Sequence, residues 1–273
     1  MTAADGAVLA GFSAVDRDAA SASLVGALDE QAALPAVQRL RAAATELLSP
    51  LAGHRLVDVG CGTGDVVRAL ASLVGPTGQV VGVEPSEVML ATARARSAGR
   101  DLPVRFVRGD VVGLELPDSS ADGVVCERVL QHVGDATAAL AELVRITRSG
   151  GRIVVIDTDW GMHAVHGADP DVTARVVESW VAATPDGRVG TRLPALFADA
   201  GLTDQVVVAE TLVSTAPHRP AHPPFTTMAM LAEQTGALQV GEAATWLDQL
   251  AAAARHGRFL WAVTMFCVAG TRP

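Results

Sequence analysis

The residues with the most chemistry in them lie close together near the start of the chain. Arg55 to Gly64 reads RLVDVGCGTG, an apolar, branched run that ends in three alternate glycines. Glycine tolerates positive φ and leaves the backbone bare, so a ligand can lie directly on the main chain. A helical pattern follows, with Val66, Leu70, Leu73 and Val74 on one face. A helix start at that point favours negative charge and suits a carboxylate or a phosphate. Two acids recur at matching places. Glu84 ends the apolar run Gln79-Val80-Val81-Gly82-Val83, and Asp110 follows Val104 to Val107 through Gly109. A carboxylate at such a strand end can accept both hydroxyls of a ribose, and Asp110 can accept from an adenine amino group. Alone, each acid reads as a solvated loop residue, and G-x-G-x-G differs from the dinucleotide spacing. Three such strand ends in series point to a nucleoside site.

These residues need a scaffold that aligns strand ends. From Ala52 the pattern alternates strand and helix, which demands a parallel sheet with helices on both faces. Asp122 to Cys126 and Arg152 to Asp157 read as the fourth and fifth strands. Thr63, Ser86 and Asp135 are candidate helix N-caps, and Ser149-Gly150-Gly151 is a helix stop. The segment DTDWGMHAVHGADP after Asp157 reads as too polar to continue the strand. Asp171 to Ala182 and Gly190 to Ala200 read as helices, and Gln205 to Val213 as strand six. Two further helices precede a final strand at Phe259 to Ala269. Met1 to Ala32 reads as a partly mobile arm, and Pro35 opens a helix carrying Val37, Leu40, Ala44, Leu47 and Leu48.

VDVGCGTGD, VGVEPS, RGDV, ERVLQHV and RSGGRIVVID together resemble the motifs of the class I S-adenosylmethionine-dependent methyltransferases. The similarity is to the small-molecule branch with a ubiquinone-biosynthesis-like or methyltransferase-11-type core, and it covers about Ala52 to Thr158. It implies S-adenosylmethionine as cofactor and a doubly wound, seven-stranded, mostly parallel sheet with an antiparallel last strand and a helical cap. It implies that Gly60, Cys61 and Gly62 lie against the methionine part, with Asp58 supporting the loop. Glu84 takes the ribose, flanked by Pro85 and Met89. Asp110 and the Val111 amide take the adenine, beside Gly109. Glu127 and Arg128 adjoin the methyl-bearing sulfur. The N-terminal helices become a lid, with Phe12, Gln38 and Arg41 toward the substrate.

Methyl transfer asks mainly for alignment and water exclusion. A base is needed only if the nucleophile must lose a proton. His163 and His166 follow strand five, and His132 lies just past Arg128, so these three are the candidate bases. Asp157 and Trp160 share that edge. Trp160 reads either as a flat wall for an aromatic or terpenoid substrate or as a core plug. Met228 belongs to an apolar stripe that reads either as pocket lining or as core. His218 and His222 flank prolines in a loop.

Composition narrows the rest. The net charge is −9, and no basic face marks a nucleic-acid partner. The chain has no tyrosine, lysine or asparagine. That removes Schiff-base chemistry and the tyrosine-bearing motif of adenine methylation. Cys61, Cys126 and Cys267 are too scattered for a disulfide framework or a zinc site, so no metal is expected. No apolar run approaches the ~20 residues of a spanning helix, and the start lacks a basic leader. The expectation is a cytoplasmic bacterial enzyme, monomer or homodimer, acting on a small molecule in natural product biosynthesis. It would have an N-terminal arm and lid over residues 1–51 and a core over 52–160, 190–215 and 259–273. Cap insertions would occupy 161–189 and 216–258. The alternative is a relative that binds the cofactor but moves no methyl, a cyclase or decarboxylase.

Overall fold

The computed structural model describes residues 21–216 and 225–273, so Phe12, His218 and His222 lie outside the described residues. Seven strands form one sheet: β1 (Arg55–Val59), β2 (Gln79–Glu84), β3 (Val104–Arg108), β4 (Ala121–Glu127), β5 (Thr147–His166), β6 (Thr203–Ser214) and β7 (Leu260–Thr271). Their order is β3-β2-β1-β4-β5-β7-β6. β1 to β5 run parallel, and β7 runs antiparallel to both β5 and β6. The chain steps outward from β1 to β3 and then returns on the other side of β1 with β4. Ligands of such sheets gather in the crevice at that reversal.

The central strands are apolar on both faces because helices cover both. One face carries Leu56, Val80, Val154 and Ile156. Against it pack Val37, Leu40, Ala44 and Leu48 of α2 (Pro35–Leu48) and Val67, Leu70 and Val74 of α3 (Asp65–Val74). The other face carries Val57, Val59, Val124, Cys126, Ile153 and Val155. It packs on Leu140 and Leu143 of α5 (Ala136–Ile146) and on Leu193, Leu196 and Phe197 of α7 (Val189–Asp199). The Ser86 hydroxyl caps α4 (Glu87–Ser97) by accepting from the Met89 amide at 3.2 Å, and Asp135 caps α5 from Ala138 at 2.9 Å.

Four expectations need correction. Thr63 does not cap α3: Gly64 stands there at φ +78°, and the Thr63 hydroxyl instead accepts from Arg96 at 3.2 Å. α5 ends at Ile146, ahead of Ser149-Gly150-Gly151, because Thr147 is already extended and its hydroxyl returns to the Leu143 carbonyl at 2.7 Å. The arm is helical over its last part, as α1 (Ser21–Ala32). Finally, β5 does not stop at Asp157. It runs to His166, with Asp159 opposite Thr264 and, past an irregularity, Ala164 to His166 opposite Ala262 to Leu260. The polar residues are tolerated because backbone amides satisfy them. Asp157 accepts from Gln131 and Thr158 at 3.2 and 2.9 Å, and Asp159 from Gly161 and Thr191 at 2.9 and 3.2 Å.

The overhang of β5 and β7 is backed by three helices, α6 (Pro170–Ala183), α8 (Phe225–Gln234) and α9 (Glu242–Arg255). Phe225 packs edge-on to Trp246 and Phe259, with ring centres 5.8 and 6.0 Å apart. The Trp246 indole donates to the Thr173 hydroxyl at 2.8 Å, and Arg175 grips Glu242 at 3.0 and 2.9 Å.

Candidate active site

The turn after β1 is fixed to β2 before any ligand is considered. The Gly60 and Cys61 amides both donate to the Val83 carbonyl, at 2.8 and 3.0 Å. The three glycines serve different needs. A Cβ on Gly60 would meet Val129 Cγ2 at 2.2 Å, and one on Gly64 would meet the Phe106 ring at 2.8 Å. Those two are glycine because protein fills the space. A Cβ on Gly62 (φ +49°) would meet nothing nearer than Leu28 of α1, at 4.0 Å. Gly62 is thus the one glycine of the turn at which the protein leaves room for a side chain.

Glu84, 8% exposed, accepts from the Gly62 amide at 3.0 Å and from the Ser86 amide at 3.1 Å. It ties the glycine turn to the start of α4, with Met89 buried behind it and Pro85 exposed. Past β3, Asp110 is exposed and accepts from the Val112 amide at 3.2 Å, which turns the chain so that Val111 is buried. Gly109 donates to the Glu84 carbonyl at 3.3 Å, so the second and third strand ends are joined.

Beneath the turn lies a buried charge cluster. The Glu127 carboxylate receives Arg41 of α2 at 2.7 and 3.0 Å, and Arg128 stands 3.3 Å away. Burial pushes Glu127 upward, but Arg128 and Arg41 outweigh it and hold the carboxyl below its ordinary value. Asp58 is 2% exposed and is pushed up to about 8 by burial and by the charge of Glu127, against the pull of Arg41. Asp157 is pushed up to about 7 by burial, opposed by its backbone hydrogen bonds. Binding a cation nearby would favour the charged forms of Asp58 and Asp157, whose ionisation burial opposes. S-adenosylmethionine carries an ammonium, a sulfonium and a ribose diol, so the residues present fit that group.

α1 lies across the glycine turn. Its Asp29 pairs with Arg96 of α4 through two bonds of 2.7 Å, and its Gln31 accepts from Arg128 at the end of β4. Gln38 donates to the Ala32 carbonyl and so joins α2 to the end of α1. Met228 is completely buried between the cap helices, so it packs the cap interior and does not line an open surface. His166 is exposed at the tip of β5. His132 is largely buried and held down to about 4, by burial first and then by Arg128. His163 is likewise lowered to about 4, by burial.

Sequence reasoning missed α1's contacts, the Arg41–Glu127 pair and Gln131. Each joins positions far apart in the chain. Gln131 accepts the Trp160 indole N–H at 2.6 Å and donates to the Arg128 carbonyl at 3.4 Å, which links the two strand ends.

Comparison with known proteins shows the family. A family model described as a methyltransferase domain matches residues 57–155. A protein of 37.1 kDa from transposon Tn4556 of Streptomyces fradiae is 34% identical over 89% of this chain and 70% of its own length. Demethylmenaquinone methyltransferase of Staphylococcus aureus is 40% identical over 39% of this chain, and the match spans only 44% of that enzyme. The structure of Haemonchus contortus phosphoethanolamine N-methyltransferase 2 with S-adenosyl-L-methionine superposes with a TM-score of 0.61. It is 19% identical and covers 96% of this chain and 60% of its own. The chain belongs to the class I S-adenosylmethionine-dependent methyltransferases. Its cofactor is S-adenosylmethionine. Among the described residues no helix is long and apolar enough to cross a membrane, and no cluster could hold a metal ion.

Proposed function

We propose that this enzyme methylates an oxygen, nitrogen or carbon atom of a small, fairly apolar metabolite, in bacterial secondary metabolism. The observation that carries the reading is the open backbone at Gly62, set between Glu84 and the buried acids Asp58 and Glu127. When bound, the cofactor supplies a methyl group already activated on a sulfonium. The protein's own residues bind and align. Glu84 would accept the ribose hydroxyls, and its bonds from the Gly62 and Ser86 amides hold the loop. Asp110 and the Val111 amide would take the adenine. Glu127, which Arg128 and Arg41 keep ionised, would offset the ligand's positive charge. α1 closes the site against water through Asp29–Arg96 and Gln31–Arg128. The net charge of −9 supports a small molecule over a nucleic acid.

Calorimetric titration with S-adenosylhomocysteine tests the cofactor site. Wild type should bind at micromolar concentration, and Glu84→Ala should weaken binding at least tenfold, the loss expected when a charged hydrogen-bond acceptor is removed, about 1.4 kcal/mol or more. Unchanged affinity would remove Glu84 from the role. Incubation with methyl-labelled cofactor and candidate acceptors tests the transfer itself. A product formed while the cofactor is recovered intact would overturn methyl transfer.

A further inference from the structure

The overhang of β5 brings Trp160 and His163 together with Trp261 of β7 and Trp180 of α6. Trp160 meets His163 edge-on with centres 5.3 Å apart, and His163 meets Trp261 at 5.9 Å. Trp160 also meets Trp180 at 6.0 Å. Three of the chain's four tryptophans thus gather around one histidine. The hydrogen bond from Trp160 to Gln131, and from Gln131 to the Arg128 carbonyl, joins it to the charge cluster below the glycine turn.

Within this box the polar atoms are not satisfied. Both ring nitrogens of His163 and the indole N–H of Trp180 are cut off from solvent and find no protein partner. Buried groups of this kind are normally hydrogen-bonded, and leaving them unmade is costly. A plug for the core would use phenylalanine here. Burial keeps the His163 imidazole neutral at ordinary pH, so it offers one acceptor and one donor. Trp180 offers a donor only. The complement is a flat, apolar ring with an oxygen that both donates and accepts. Indole faces and edges suit such a ring.

Resting on the methyl-transfer reading above, we infer that Trp160, His163, Trp180 and Trp261 form the acceptor-substrate site and that it takes a hydroxylated aromatic ring, with His163 receiving the ring's hydroxyl group. Trp160 and Trp261 are the walls. Trp180 donates to the same oxygen or to a neighbouring one. Specificity of this kind comes from buried polar groups that an analogue without the hydroxyl leaves unmade.

The test is equilibrium binding of 2-naphthol and of naphthalene to the full chain saturated with S-adenosylhomocysteine, read by calorimetry. Wild type should bind 2-naphthol about tenfold tighter than naphthalene, the upper end for a net neutral hydrogen bond. His163→Phe should equalise the two by losing the 2-naphthol advantage while still binding naphthalene and S-adenosylhomocysteine. His163→Gln, which keeps a donor and an acceptor, should retain part of the preference. Equal binding of the two compounds by wild type, binding of neither, or a preference that survives His163→Phe would each overturn the inference. If His163→Phe fails to fold, the wild-type comparison and His163→Gln decide alone. Failure of S-adenosylhomocysteine to bind wild type would strike the methyl-transfer reading itself. Binding of it without a preference for 2-naphthol would strike only the aromatic site.

Discussion

Arg41→Met is the most informative single change below the cofactor cleft. The Arg41 side chain is 20% exposed and that of Glu127 6%, and two bonds of 2.7 and 3.0 Å join them. Removing one partner of a buried pair costs about 3–5 kcal/mol, because the other charge is left uncompensated. Here Arg128, at 3.3 Å from the same carboxylate, takes up part of that charge, so about 2–3 kcal/mol is expected. Methionine keeps the apolar stem that arginine packs along the helix, so the loss isolates the charge. At roughly 2–4 °C per kcal/mol for a domain somewhat smaller than this one, Tm should fall by about 6 °C. The double-mutant cycle sharpens the argument. Glu127→Gln in the Arg41→Met background removes the stranded charge, so the double variant should be more stable than Arg41→Met alone, with a coupling of about 2 kcal/mol. Denaturant unfolding without cofactor gives all four corners. If Arg41→Met lies within about 0.5 kcal/mol of wild type, or if the double variant is no better than the single, the buried-pair reasoning is wrong.

Two further outcomes follow from the same structure. Gly60→Ala and Gly62→Ala should part company. The first forces a Cβ to 2.2 Å from Val129 and should destabilise the fold by several kcal/mol, as overpacking with strain does. The second has room in the protein (4.0 Å to Leu28) and should cost only about 1 kcal/mol for its positive φ, yet lose most S-adenosylhomocysteine affinity. Equal effects on stability would contradict the different roles of the two glycines. The pH profile should separate the histidines from the acids. His132 and His163 titrate near 4 in the fold and near 6.5 unfolded, so the unfolded chain binds more protons. Each should therefore cost up to about 3 kcal/mol as pH falls from 6.5 to 4, and nothing above that window. Asp58, raised to about 8, acts with the opposite sign: it costs stability as pH rises from about 4 to 8. His163→Phe should gain on wild type only below pH 6.5 and Asp58→Asn only above about 4, read as differences between urea midpoints at each pH.

The parallel half of the sheet was legible because buried parallel strands are short apolar runs that end at glycine or an acid. Leu56 to Val59, Val80 to Val83 and Val124 to Cys126 all read that way. Ser86 and Asp135 were legible as caps because the cap bond is local. The extension of β5 was hidden because Asp157 and Asp159 look like loop residues until their amide partners, Gln131 and Thr191, are known. A signal was present in Met162 to His166, where exposed and half-buried residues alternate. At the site, Glu84 and Gly62 could be found from their spacing. Glu127 and Arg41 were both singled out, but their mutual pairing, 86 positions apart, could not be read. Nor could the clamp of α1, whose helical pattern is weak and whose hold depends on Arg96 and Arg128 in other elements.

The placement of β7 between β5 and β6 has a consequence for biosynthesis. Six of the seven strands emerge from the ribosome before the one that joins β6 to the rest. Until residues 260–271 are free, β6 has no strand to pair with, and the outer edge of β5 presents an open row of amides and carbonyls. The nascent chain must therefore wait with the far side of its sheet unzipped. Shortening the tail by even one strand should leave not a trimmed enzyme but an aggregating one.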